Sequence, residues 1–158
     1  MPVQLAKELV ELIEGGVSMQ LGTRDKDLRP EVLRAVGVTV GADRSTLTVY
    51  VPAELAERTL ANLEDNATLA ITFSHVIDHR TVQLKGKLRS LRRARRNERA
   101  LSERWLAAFA EQLHMVGFSR RLALRIRIWP SLALEIELHD LFAQTPGPGA
   151  GRRIEAGA

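Results

Sequence analysis

A mainly β protein, with about six antiparallel strands and flanking helices, is the fold class this sequence predicts. Three observations predict it. Short runs rich in β-branched and apolar residues recur along the chain, polar or glycine-containing turns separate them, and helical spacing is confined to the N-terminus, the middle and one basic stretch. The chain has 158 residues, enough for one core and too few for two ordinary domains. A single domain over residues 1–143 is therefore expected, followed by a Pro/Gly-rich tail over residues 144–158.

Leu5, Leu9, Leu12 and Ile13 recur at helical spacing until Gly15 and Gly16 stop the pattern, which predicts a helix over roughly residues 3–14. VSMQLGT reads as a strand and RDKDLRP as the turn behind it. A second strand starts near Pro30 and runs through VLRAVGVTV to the turn GADRS, and TLTVYV completes a hairpin with it. From Pro52 the period changes. Leu55, Thr59, Leu60 and Leu63 share one helical face, and Asp65 and Asn66 end that short helix. ATLAITF is the next strand, SHVIDHR a polar connection, and TVQLKGKLRSL alternates as a half-exposed strand. RSLRRARRNERALSER reads as a basic helix continuing to about His114. RLALRIRIWPSLALEIELHDLF gives two alternating stretches broken at Trp129 and Pro130.

The tail, QTPGPGAGRRIEAGA, has little to bury and is expected over the surface or disordered. A phosphate-cradling reading of PGPGAG lacks both the Lys-Ser/Thr pair of a P-loop and a following helix.

With 45% hydrophobic and 27% charged residues the composition is that of a soluble globular protein. No apolar run approaches the roughly 18 residues of a membrane span, so no membrane partner is expected. The first residues form an amphipathic pattern with Lys7 and several glutamates rather than a signal peptide, and a cytoplasmic location is the expectation. The absence of cysteine excludes disulfides, thiolate nucleophiles and thiolate metal sites.

Much of the +4 net charge sits in residues 85–104, where Arg89, Arg92, Arg93, Arg95, Arg96, Arg99 and Arg104 would crowd one helix. That face reads either as a phosphate-binding surface for nucleic acid or as a solvated helix side with Leu91, Ala94, Leu101 and Trp105 turned inward. Only Trp105 offers a stacking aromatic there, so the solvated reading is preferred and no nucleic-acid partner is expected. His75, His79, His114 and His139 show no HExxH or triad-like spacing, and no metal site is assigned. Glu54, Glu57, Glu64 and Asp65 surround the short helix as solvated acids without a catalytic role. No catalytic residue is assigned.

From about Val17 to Ser90 the chain resembles the FMN-binding split barrel of pyridoxamine 5'-phosphate oxidase-like proteins. The likeness is carried by MQLGTRDKDLRPEV, by TLTVYV followed by ERTLANLEDNATLAITF, by RTVQLKGKL with Gly86, and by LALEIELHDLFAQTPGPGAG at the end. The resemblance implies a six-stranded Greek-key split barrel that pairs into a homodimer with two cofactor sites between subunits. It also implies an FMN-dependent oxidoreductase acting on an unidentified small molecule. A non-catalytic barrel holding haem, a deazaflavin or nothing is the alternative, and a nucleic-acid module using the basic stretch is a third reading.

In the resembled family, basic side chains from the second strand and from the start of the short helix hold the flavin phosphate, a dianion that needs fixed donors. Arg58 matches the helix arginine, and Thr59 stands where a lysine is usual. Leu33 occupies the place of the strand arginine, with Arg34 one residue beyond, so strand alternation points Arg34 to the opposite face. Val36, in the segment VLRAVG, would offer backbone groups to the ring. Thr81, in the place of a flavin-contacting glutamine, and Gln83 two residues later would reach the ring edge or ribityl chain. The C-terminal Arg and His that bind pyridoxal phosphate in the true oxidases have no counterpart, so oxidation of vitamin B6 itself is not implied.

Overall fold

The computed structural model describes residues 3–155. Seven strands form one antiparallel sheet: β1 (Ser18–Arg24), β2 (Pro30–Arg34), β3 (Gly37–Val40), β4 (Thr46–Pro52), β5 (Thr68–Ser74), β6 (Thr81–Arg93) and β7 (Ser131–Ala143). Their order is β2-β1-β5-β6-β7-β4-β3. The helices are α1 (Lys7–Glu14), α2 (Glu57–Asn66), α3 (Arg99–Met115) and the single turn α4 (Arg120–Ala123). Among the described residues no helix is long and apolar enough to cross a membrane.

The sheet has seven strands rather than six because VLRAVGVTV is not one strand. It breaks at Ala35 and Val36, both fully buried, and the chain crosses there from one edge of the sheet to the other. The Ala35 amide donates to the Met19 carbonyl on β1 at 3.1 Å, and the next amide, Val36, donates to Tyr50 on β4 at 2.8 Å. This change of partner between adjacent amides divides the segment into β2, paired with β1, and β3, paired with β4.

Three other expectations are corrected. Helix α1 begins at Lys7, because Val3 and Leu5 are buried and their amides bond to the carbonyls of Leu138 and Arg44. The basic stretch is not one helix: β6 runs on to Arg93, so Arg89, Arg92 and Arg93 lie on a strand paired with β7, and α3 starts only at Arg99. The first half of RLALRIRIWPSLALEIELHDLF adds no strand. Ile126 and Ile128 pack on the core as alternation requires, but the backbone there forms α4, a turn and an unpaired stretch.

Alternation places Met19 and Leu21 of β1, Leu69, Ile71 and Phe73 of β5, and Val82 and Leu84 of β6 in the core. Helix α2 closes this interior, and the buried Asn62 amide donates to the buried Thr23 hydroxyl at 3.0 Å. Helix α3 crosses the α1–β1 corner. There the Trp105 indole donates to Val17 O at 2.8 Å, and Gly16, with φ +72°, leaves space for Ala108. The tail folds back along β7: Gln144 N bonds Thr81 O, Ile154 N bonds Leu141 O, both at 2.8 Å, and Ile154 packs on the core. Residues 156–158 of the expected tail lie outside the described residues.

Candidate functional site

The core uses one face of β1, β5 and β6, and the other face is left half exposed and polar. The register aligns Arg34 (β2), Gln20 (β1), Thr72 (β5) and Gln83 (β6) in one row across four strands. Beside it run Ser18, Ser74 and Thr81. At about 4.8 Å between strands, three spacings carry the first row roughly 14 Å.

Hydrogen bonds tie these rows together. Gln83 Nε2 donates to Thr72 Oγ1 at 3.3 Å, Ser74 Oγ and Thr81 Oγ1 lie 2.8 Å apart, and Arg34 Nη1 donates to Ser18 Oγ at 3.4 Å. The Thr81 amide donates to Thr145 Oγ1 at 3.0 Å, so the tail borders the face at its far end. A third row, Val32, Gly22 and Ala70, is small or apolar until it reaches Lys85 on β6, whose ammonium lies 4.8 Å from the Phe142 ring centroid, and Val32 is 62% exposed.

Arg34 is the distinctive group on this face. It is half-buried, its guanidinium lies 5.4 Å from the Phe109 ring centroid, and among the described residues no carboxylate pairs with it. Burial lowers its pKa from the ordinary arginine value. An arginine without a fixed anion in such a place keeps its planar fork of donors available. Phe109 in turn stacks on Trp105 at 5.0 Å, which fixes the ring beneath the cation.

The sequence-predicted residues divide between two environments. Thr81 and Gln83 share the polar face with Arg34. Leu33 lies on the opposite, interior face at 7% exposure, as the one-residue offset requires, and Val36 is fully buried at the strand crossing. Arg58 stands at the start of α2 with its side chain 72% exposed and its Nη1 3.2 Å from Glu31 Oε2. Glu31 shares the Leu33 face, so Arg58 and Arg34 approach β2 from opposite sides and are not brought into one clasp. Thr59 is 1% exposed on the inner side of α2, and its hydroxyl has no hydrogen-bond partner among the described residues.

Gln20, Thr72, Ser18 and Ser74 were missed by the sequence reading. Their signal is the alternation in VSMQLGT and ATLAITFS, where every residue that turns from the core is polar or small.

Chemically the face offers amide and hydroxyl hydrogen bonds, the half-buried cation Arg34 and the exposed cation Lys85, which suits a flat polar heterocycle carrying an anionic group. It holds no carboxylate or imidazole positioned for proton transfer. Of the histidines, His75 pairs with Asp78 at 3.0 Å and His139 with Glu137 at 2.9 Å, and no three His, Asp or Glu side chains group among the described residues. The basic stretch is partly neutralised: Arg89 pairs with Glu137, Arg92 with Glu98 and Arg99 with Glu103. Two cavities of about 580 and 310 Å³ lie beside α1, and neither is lined by a sequence-predicted site residue.

Comparison with solved structures places this architecture among known ones. HupZ of Group A Streptococcus is 16% identical, with 94% of this chain and 100% of that chain covered at a TM-score of 0.55. A putative pyridoxamine 5'-phosphate oxidase from Lactobacillus delbrueckii is also 16% identical, with 89% and 94% covered and a TM-score of 0.57. An F420 reductase is 12% identical, with 87% and 98% covered and a TM-score of 0.54. At these identities the likeness is one of fold, the split barrel. No curated protein matches the chain. The sequence model of the pyridoxamine 5'-phosphate oxidase family matches residues 5–129, most of the chain and six of the seven strands, and the chain belongs to that family.

Proposed function

We propose that this protein binds a flavin, FMN, on the polar face of the sheet and uses it in oxidoreductase chemistry on a small molecule. The observation that carries the reading is Arg34, a half-buried arginine with no carboxylate partner, at the end of a row of neutral donors and acceptors. Gln83, Thr72 and Gln20 would hydrogen-bond the polar edge of the ring, and Thr81 and Ser74 the ribityl hydroxyls. Arg34 would supply the cation for the phosphate on this face, and Arg58, on the other side of the edge strand β2, would join it only by leaving Glu31 and reaching round that edge. The flavin would supply the electron acceptor at its ring, while these side chains orient and anchor it.

An open sheet face also needs a cover to exclude water, and a second copy of the chain is the one we propose. Gly22 and Ala70 keep the neighbouring row low, and Val32 at its edge is exposed, so another sheet can approach closely. The resulting homodimer would place each flavin between subunits.

The test is a titration with FMN, read by quenching of flavin fluorescence and by the melting temperature. Saturable binding with a rise in Tm is expected, together with an affinity weakened about tenfold or more in Arg34→Gln. A deazaflavin titrated in parallel shows which ring is preferred. Absence of quenching and of any Tm shift with FMN overturns the reading, as does unchanged affinity in the variant.

A further inference from the structure

Residues 112–134 contain no aspartate or glutamate, yet four arginines stand there: Arg120, Arg121, Arg125 and Arg127. The same segment exposes a concentration of large apolar side chains. Met115 is 70% exposed, Val116 43%, Phe118 62%, Leu122 64% and Leu124 53%, half of the ten large hydrophobics exposed among the described residues. Scattered exposed hydrophobics are ordinary, but a run of them within ten residues marks a contact surface.

The segment is held in place rather than loose. Phe118 N donates to Leu113 O at 2.9 Å, Ala123 N to Ser119 O at 3.1 Å, and Ala123 is the residue of α4 that is buried. With Ala123 turned inward, Leu122 and Leu124 face water. Arg120 is engaged by Glu111 at 2.6 and 2.9 Å, and Arg127 by Glu54. Arg121 and Arg125 are exposed and pair with no carboxylate among the described residues.

The partner must therefore be both apolar and anionic. These side chains stand on a turn and a single helical turn, and neither cavity described above is lined by them. A lipid surface needs no groove: apolar side chains enter the boundary between headgroups and acyl chains, and cations meet anionic headgroups. We propose that residues 115–125 form a docking surface for an anionic membrane. This is attachment to a surface, which requires no membrane-spanning segment, and it is independent of the flavin reading.

The full chain is sedimented with sucrose-loaded vesicles of phosphatidylcholine alone or mixed with phosphatidylglycerol. Association with the mixed vesicles only, released by added salt, is expected. The double variant Arg121→Gln/Arg125→Gln should weaken partitioning roughly thirtyfold, since each cation near such a surface contributes about fivefold. Phe118→Ser/Leu122→Ser should weaken it further while leaving the thermal transition in place, because both side chains are exposed. No association with the mixed vesicles overturns the proposal, and so does association that neither double variant reduces. Conversion of a dimer to a monomer by Phe118→Ser/Leu122→Ser, seen by light scattering, would assign the patch to a second copy and overturn it as well.

Discussion

Glu98 grips Arg92 through both carboxylate oxygens, at 2.8 and 2.7 Å. The same carboxylate accepts the Tyr50 hydroxyl at 2.8 Å and the Arg95 amide at 2.6 Å. One side chain thereby joins β4, the end of β6 and the 3₁₀ turn Arg96–Glu98 that leads into α3. Hydrogen bonding from Arg92, with further bonds from the Arg95 amide and Tyr50 outweighing burial, holds the Glu98 pKa at about 2. Burial first, then the neighbouring Glu98, pushes Tyr50 up to about 12.

This junction predicts an acid sensitivity. A carboxylate whose pKa is lower folded than unfolded contributes stability above its unfolded value, 4.5, and loses that contribution as pH falls towards 2. Glu98→Gln is expected to cost about 1–2 kcal/mol at pH 7, allowing for the partial exposure of Arg92. The gap between wild type and variant should narrow at pH 3. Urea denaturation at the two pH values measures it, and an equal gap at both would remove Glu98 from this role.

Gly86 should not tolerate a side chain. The β6–β7 register shifts between Lys85 and Gly86, and a Cβ at Gly86 would overlap the Glu137 carbonyl oxygen on the facing strand. Gly86→Ala is expected to lower Tm by about 10 °C. Gly149→Ala, whose Cβ would meet nothing within 4 Å, is the control and should leave Tm unchanged.

Glu31 is expected to restrain Arg58. If Arg58 meets the flavin phosphate, Glu31→Gln frees its guanidinium from the 3.2 Å pair and should tighten FMN binding severalfold in a fluorescence titration. Weaker or unchanged binding would confine Arg58 to its pairing with Glu31.

The order of strands and helices was legible in the sequence because each element carries its own period. The polar stripe was written as plainly, in Ser18, Gln20 and Gly22 alternating with Met19 and Leu21. What was not legible depended on partners distant in the chain. VLRAVGVTV has strand composition on both sides of Ala35, and nothing local says that its halves join opposite edges. The arginines of RSLRR looked helical by charge, yet Leu88 and Leu91 pair with Ile136 and Leu134. Arg58 was placed on the correct helix, but its pairing with Glu31 depends on how α2 sits over β2. Arg34 could be assigned to the face opposite Leu33 from alternation alone, whereas its freedom from any carboxylate required the fold.

The crossing at Ala35 and Val36 makes two adjacent amides into separate gauges. One is protected from deuterium by Met19 on one arm of the sheet, the other by Tyr50 on the opposite arm. If the arms open independently, these neighbours will exchange at different rates. If they open together, the two will share one rate, and that pair of peptide groups will time the loss of the whole barrel.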